Sequence, residues 1–350
     1  MCIVVLEDSL NYPARSARIK LLKQLGHCFA LVWLAAISLL PSKVLSAERM
    51  AKLIPVRIAV VSRSTLDLPF WVARERGFFR DEGIDAEIIF FKASLTVQAM
   101  LGGSIDFGTA TGTALAAAVN GADVRIVMAM SERRSFDLMG HASITNFQQL
   151  RGKRIGFGGV GGLPEIIIRQ ILAANQIPTE QVTFLPLGGG DVSYMSLRAG
   201  VIDAVMLQIP NTFLAQDEGF RKIASGADYY RAVQGGLTVT KATLAERPET
   251  VTKVIRATLR ALRLLKDDRQ YAMEVLSKKN YVDLGKQRER YLERTYDAAT
   301  QGYLLSGVVD EKLQREMIAL AAQRLKPVPQ IAPERIFDFS LARRAGEGLR

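Results

Sequence analysis

The chain has 350 residues, with 46 Lys and Arg against 35 Asp and Glu, two Cys and two His. At 49% hydrophobic content it carries enough apolar surface for large cores, which excludes global disorder, and its length suits about two domains of roughly 150 residues. Two Cys cannot build a disulfide framework or a four-cysteine zinc site, two His argue against a histidine-rich metal site, and the net charge of +11 raises nucleic acid or an anionic surface as partners.

Part of that charge lies in a segment with its own purpose. Residues 12–26 carry Arg15, Arg18, Lys20 and Lys23 without an acid, and an apolar run of 13 residues follows from Cys28 to Leu40. Pro41 and then Val44-Leu45-Ser46-Ala47 close the segment. A basic stretch, a short apolar core and small residues at the end have the form of a secretory signal peptide. The run is too short for a membrane span, which needs about 20 apolar residues. Residues 1–47 are therefore expected to be a leader cleaved near Ala47. Both cysteines and His27 fall inside it, so the exported chain would keep one histidine, His141. Beyond residue 47 the charges stand at 41 basic against 33 acidic and are interspersed, which reads as a solvated surface. No basic stripe interleaved with aromatics appears, so no nucleic-acid partner is expected.

In chain order, Val56–Val61 alternates like a strand. Pro69–Arg76 reads as a helix with proline in its first turn and Gly77 as its stop. Ala86–Phe91 is a strand, Thr96–Leu101 a helix, Ile105–Gly108 a short strand, Thr113–Val119 an alanine-rich helix and Val124–Met130 a strand. A second round follows: strand Arg154–Phe157, a glycine loop over 158–162, helix Glu165–Asn175, strand Val182–Leu185, helix Asp191–Ala199 and strand Ala204–Leu207. Strands alternating with helices predict an α/β fold with parallel pairing. The remainder reads as helical. Pro248–Lys266 sets Val251, Val254, Ile255, Thr258, Leu259, Leu262 and Leu265 on one stripe, and Tyr291–Tyr303 and Glu311–Arg324 look similar. Pro327, Pro329 and Pro333 predict an extended tail. Gly77-Phe78-Phe79 reads as packing. Asp106 and Asp203 close matching phrases, Gly-Gly-Ser-Ile-Asp and Arg-Ala-Gly-Val-Ile-Asp, and read as structural acids satisfying turn amides.

Several phrases coincide in order: Leu68-Pro69-Phe70-Trp71-Val72-Ala73-Arg74-Glu75-Arg76-Gly77-Phe78-Phe79, Glu82-Gly83-Ile84-Asp85, Gly102-Gly103-Ser104-Ile105-Asp106-Phe107-Gly108, Leu150-Arg151-Gly152-Lys153-Arg154-Ile155-Gly156 and Leu197-Arg198-Ala199-Gly200-Val201-Ile202-Asp203. In these the chain, over about residues 55–345, resembles the solute-binding proteins of ABC importers, in the nitrate/sulfonate/taurine and thiamine-precursor (NMT1-like) branch. The resemblance implies a two-lobed periplasmic-binding-protein fold of type II, each lobe a mixed sheet flanked by helices, with the ligand cleft between. The first lobe would be 55–139 plus 232–350 and the second 140–231, with hinge crossings near Leu138–His141 and Tyr230–Gln234. It implies a periplasmic monomer that closes on a small-molecule ligand and is recognised by an inner-membrane permease with its ATPase, using no cofactor and no metal. The alternative is an enzyme on the same fold, of the pyrimidine-precursor synthase or menaquinone-pathway type. The former uses histidine and cysteine, of which one His and no Cys remain after residue 47.

In open α/β sheets ligands bind beyond the carboxyl ends of the strands, where helix N-termini point. That rule selects Arg63, Ser64 and Thr65 after the first strand and Thr109, Ala110 and Thr111 before the alanine-rich helix. From the second round it selects Gly159, Val160 and Gly161, then Gly189, then Gln208 and Pro210. Arg63 is the charged candidate, able to grip a planar acid with two hydrogen bonds. Arg133 and Arg134 are second choices, and Trp71 and Phe70 are weighed as cleft lining against plain packing. The plain alternative for each hydroxyl is a helix cap. The glycine loop has no hydroxyl, and Glu165 opens the following helix, where it would compete with an anion. The expected ligand is therefore a larger organic molecule with an anionic group rather than nitrate or sulfate.

Overall fold

In a computed structural model, which describes residues 53–132, 136–159, 163–187, 190–278, 281–282, 288–323 and 325–349, ten strands form two separate five-stranded sheets. The expected leader lies outside the described residues. The strands are β1 (Ile54–Val60), β2 (Ile84–Phe90), β3 (Phe107–Gly108), β4 (Val124–Ser131), β5 (Phe136–Gly140), β6 (Arg154–Phe157), β7 (Thr183–Pro186), β8 (Ala204–Gln208), β9 (Arg221–Ser225) and β10 (Gln234–Thr240). The first sheet has the order β2-β1-β3-β10-β4, and the second β7-β6-β8-β5-β9. In the first, β1 is parallel to β2 and β3, while β10 is antiparallel to β3 and β4. In the second, β6 is parallel to β7 and β8, while β5 is antiparallel to β8 and β9.

The inner strands are apolar because both faces are covered. β1 buries Val56, Ile58, Ala59 and Val60, and β4 buries Val124 and then Ile126 through Met130. The Pro248–Asp267 helix buries the predicted stripe against the first sheet's core. The Leu68–Glu75 helix ends before Gly77, whose φ of 75° reverses the chain so that Phe79 enters the core. Phe78 stays at the rim beneath the Arg260 guanidinium, 4.2 Å from the ring centre.

Three expectations change. Strand β5 belongs wholly to the second sheet, so the chain leaves the first sheet at Ser131 and joins the second at Phe136, before the crossing expected at Leu138–His141. The segment Phe-Asp-Leu-Met-Gly pairs on both sides, which a short run between two predicted rounds does not announce. Because β5 runs antiparallel to β8, Gly140 lies opposite Ala204, and His141 sits beyond that end, packed on Phe220 at 5.3 Å rather than at a hinge. The tail after the prolines is not extended throughout: Ser340–Glu347 is a helix that buries Leu341, Ala342 and Ala345.

Asp106 and Asp203 are structural, but their partners are not turn amides. Asp106 Oδ2 accepts the Arg57 amide at 2.8 Å, and the Arg57 guanidinium donates to the Gly103 carbonyl at 2.7 Å. Asp203 Oδ2 accepts the Arg154 amide at 2.8 Å, and Arg154 donates to the Gly200 carbonyl at 2.9 Å. The sequence separations are 49 and 46 residues in both sets, so one staple occurs twice. The two differ in reinforcement, since Asp106 also accepts Arg247 at 2.9 Å. The Arg154 hydrogen bond holds the Asp203 carboxyl below its usual range.

Candidate functional site: facing sheet edges and their loops

The topology alone brings two sets of loops together. The first crossing runs from the end of β4 to the start of β5, and Phe136 lies opposite Gln208 at the end of β8. The second runs from the end of β9 to the start of β10, and Gln234 lies opposite Ser131. Both crossings therefore join the carboxyl-terminal edge of one sheet's parallel strands to that of the other. The crossings are tied to each other where the Ala232 amide donates to the Glu132 carbonyl at 3.2 Å and Arg231 donates to the Glu132 carboxylate at 2.6 Å. Arg231 also reaches Asp310 at 3.1 Å. Tyr230 packs against the cores of both sheets.

On the first sheet's edge, the loop after β1 is built around Asp67, a residue the sequence reading passed over. Standing directly before a helix, it has the position of an N-cap, yet its side chain does not cap. It reaches back instead, and its Oδ2 accepts the Ser62 amide at 2.9 Å and the Ser62 hydroxyl at 2.8 Å. Ser62 and Ser64 hydroxyls are 2.8 Å apart, and Ser64 Oγ accepts the Leu66 amide at 3.3 Å. Asp67 is only 2% exposed. Burial raises its carboxyl above the usual range, opposed by the hydrogen bonds from Ser62 and by the nearby Thr109. The Thr109 hydroxyl is buried with no partner at full hydrogen-bond geometry. Thr65 contributes through its backbone, its carbonyl accepting the buried Tyr303 hydroxyl at 2.8 Å. Arg63 is exposed, with its guanidinium 5.0 Å from the Phe90 ring centre. Phe90 adjoins Trp71 at 5.3 Å, and Trp71 stacks on Tyr281 at 5.5 Å. Phe70 is fully buried and Trp71 nearly so, which places both in packing.

The Thr111–Val119 helix starts at the same edge. Its capping position is Ala110, and no side chain caps the first turn, which leaves donors available. Thr111 does not cap either: its hydroxyl donates to the Val233 carbonyl of the second crossing at 3.3 Å. Gly112, at the first turn, is exposed.

The second sheet's edge offers less. Gly159 is exposed after β6. Val160, Gly161, Gly189, Arg133 and Arg134 lie outside the described residues. Glu165 is 8% exposed and takes the Arg169 guanidinium at 2.8 Å, so its charge is matched within its own helix. Gln208 is exposed at the end of β8, and Pro210 precedes the Asn211–Asp217 helix, where Asn211 donates to Asp191 at 3.0 Å. The other end of that helix meets the first lobe's side. Asp217 accepts the Tyr291 hydroxyl at 2.8 Å, Arg290 at 2.8 Å and Arg294 at 3.2 Å, all from the Arg288–Gly302 helix, and the Tyr291 hydrogen bond leads in holding its carboxyl low. Tyr296 and Tyr303, farther along, lie in the first sheet's core, so this stretch spans from the second lobe to the Thr65 loop. Among the described residues no group of three or more His, Cys, Asp or Glu could hold a metal, and no helix is long and apolar enough to cross a membrane.

Residues 66–272 match the family model described as NMT1/THI5 like. The riboflavin-binding protein RibY of Chloroflexus aurantiacus is 26% identical over 203 residues, 55% of this chain. The match spans 57% of that relative's length. Among solved structures, the periplasmic aliphatic sulphonate binding protein SsuA from Escherichia coli is similar with a TM-score of 0.67 at 16% identity, over 81% of this chain and 97% of that one. The periplasmic nitrate-binding protein NrtA from Synechocystis PCC 6803 gives 0.62 at 12% identity, over 85% and 90%. The fold also carries an enzyme, the desulfurization enzyme DSZB, at 0.60 and 15% identity, over 85% and 100%. These structural likenesses establish shared architecture, the two-lobed type II fold of periplasmic binding proteins, and with the family model spanning more than half its length the chain belongs to the NMT1/THI5-like family.

Proposed function

We propose that this chain is the extracytoplasmic solute-binding protein of an ABC importer, exported by its leader to the periplasm. It captures a small organic ligand between its lobes and delivers it to a permease as a monomer. The observation that carries the reading is that both crossings join the carboxyl-terminal edges of the sheets, where the uncapped Thr111–Val119 helix and the unpartnered Thr109 hydroxyl lie. Two crossings tied side by side at Glu132 and Arg231 suit a hinge, and closure would bring the lobes' loops onto one solute. Arg63, Ser64, Thr65, Thr109 and Ala110 are the first lobe's proposed contacts, Thr111 acting by anchoring its helix. Gly159, Val160, Gly161, Gly189, Gln208 and Pro210 are the second's. The names of relatives make riboflavin and an alkanesulfonate the first probes.

The test is a thermal-stability screen of residues 48–350 against a metabolite panel including both, followed by calorimetry. A ligand-dependent rise in melting temperature with one-site binding and unchanged recovered ligand is expected. Absence of any shift, or conversion of a compound by the protein, overturns the reading.

A further inference from the structure

We infer that the Ser62 and Ser64 hydroxyls of the loop after β1 read a hydrogen-bond donor on the ligand rather than an anion, with buried Asp67 as the positioning residue that sets this preference. The inference rests on the binding-protein reading and concerns what that site selects. It follows from counting protons. A serine hydroxyl has one hydrogen to give and two lone pairs to receive with. Asp67 Oδ2 accepts the Ser62 amide, which can only donate, and the Ser62 hydroxyl donates to the same oxygen. That spends the hydrogen of Ser62. In the 2.8 Å contact between Ser62 and Ser64, Ser64 must therefore be the donor, which spends its hydrogen as well. Ser64 Oγ receives the Leu66 amide on one lone pair, leaving the other. Both hydroxyls are thus turned inward along one chain, Ser64 to Ser62 to Asp67, and what they can offer outward is acceptor capacity alone.

An anion or a bare carbonyl approaching these two hydroxyls would meet lone pairs, while the one cation of the loop, Arg63, is turned onto the Phe90 ring. An N–H or O–H of the ligand would be matched. The neighbouring Thr111–Val119 helix offers the opposite chemistry, free donors in its first turn. The two together suit an organic molecule carrying a donor beside an acceptor, as in a lactam, an imide or a primary amide. This departs from the anionic ligand that the loop's hydroxyls and Arg63 suggest when sequence alone is read, because sequence shows the hydroxyls but not where their hydrogens point.

The test uses residues 48–350 and two probe sets in thermal shift and calorimetry. Uracil, nicotinamide and riboflavin present donors, and nitrate, methanesulfonate and benzoate do not. The protein is also purified without denaturation, and any small molecule it retains is identified by mass spectrometry. Binding by a donor-bearing compound is expected, weakened roughly tenfold or more when its N–H is methylated. Ser64→Ala should weaken the donor-bearing probe and leave its N-methylated counterpart unmoved, which a merely structural role would not do. Binding confined to the donor-free set, or equal affinity for methylated and parent compounds, overturns the inference while leaving the binding-protein reading standing. No binding in either set together with no retained molecule defeats that reading, and the inference falls with it.

Discussion

The two lobes are alike at one edge and unlike at the other. At the amino-terminal edge of each sheet an aspartate receives the amide and guanidinium of an arginine on the next strand, at identical sequence separations. At the carboxyl-terminal edge the first lobe carries a wired set of Ser62, Ser64 and Asp67 with Thr109 beside it, whereas the second carries glycine and the Gln208–Pro210 turn. The difference teaches where constraint and freedom lie in such a fold. One edge closes each α/β unit and repeats because closing it is the same problem twice. The other differs between the lobes, and it is the edge at which the proposed ligand would be met from two sides.

The strongest way to break the comparison is at the staples. Asp106→Ala strands two guanidinium groups and the Arg57 amide, and a loss of about 3 kcal/mol in urea unfolding is expected. Asp203→Ala strands the Arg154 amide and a single half-exposed guanidinium, so about 1 kcal/mol is expected. Equal losses would show that Arg247 adds nothing to the first staple.

Next comes the link from core to site. Tyr303→Phe removes the donor from the Thr65 carbonyl, and about 1 kcal/mol of stability should go with it. Ligand affinity in the calorimeter should fall several-fold as the first loop loosens. A stability loss without any change in affinity would detach Thr65 from the site.

A smaller effect is expected in pH dependence. The folded Asp203 carboxyl lies below its unfolded value near 3.9, so its contribution is present above that value and lost as pH falls through the folded one. The stability difference between the native chain and Asp203→Asn should hold constant from about pH 5 to 8 and shrink toward pH 2. The smallest effect is expected at the lobe-to-lobe contact. Asp217→Asn weakens the ties to Arg290, Arg294 and Tyr291, and a twofold to fivefold faster ligand release is expected in stopped-flow measurements, with the unfolding midpoint little moved.

Much of this architecture is legible in the chain itself. The alternation of apolar runs, Gly77 after a proline-started helix, and the stripe from Val251 to Leu265 mark elements that local pattern decides. Strands β5, β9 and β10 are not legible, because Phe136–Gly140 and Arg221–Ser225 become strands by pairing with distant partners. The candidate loops follow from strand direction, and Ser64 and Thr109 lie at the edge that rule selects. Asp67 escaped because a carboxylate before a helix has the look of a cap, and only its contact with Ser62 shows otherwise. Thr111 has a partner that the sequence does not show, since a bond to Val233, 122 residues on, has no local signal.

The most direct test of the central claim is a crystal structure of the protein with the compound that gives the largest thermal shift. Electron density between the sheet edges is predicted, touching Ser64 and the Thr109 turn on one side and Gly159 or Gln208 on the other, with the compound chemically unchanged. A compound seated away from both edges, or held by one lobe while the crossings stay open, or found converted to a product, would contradict it.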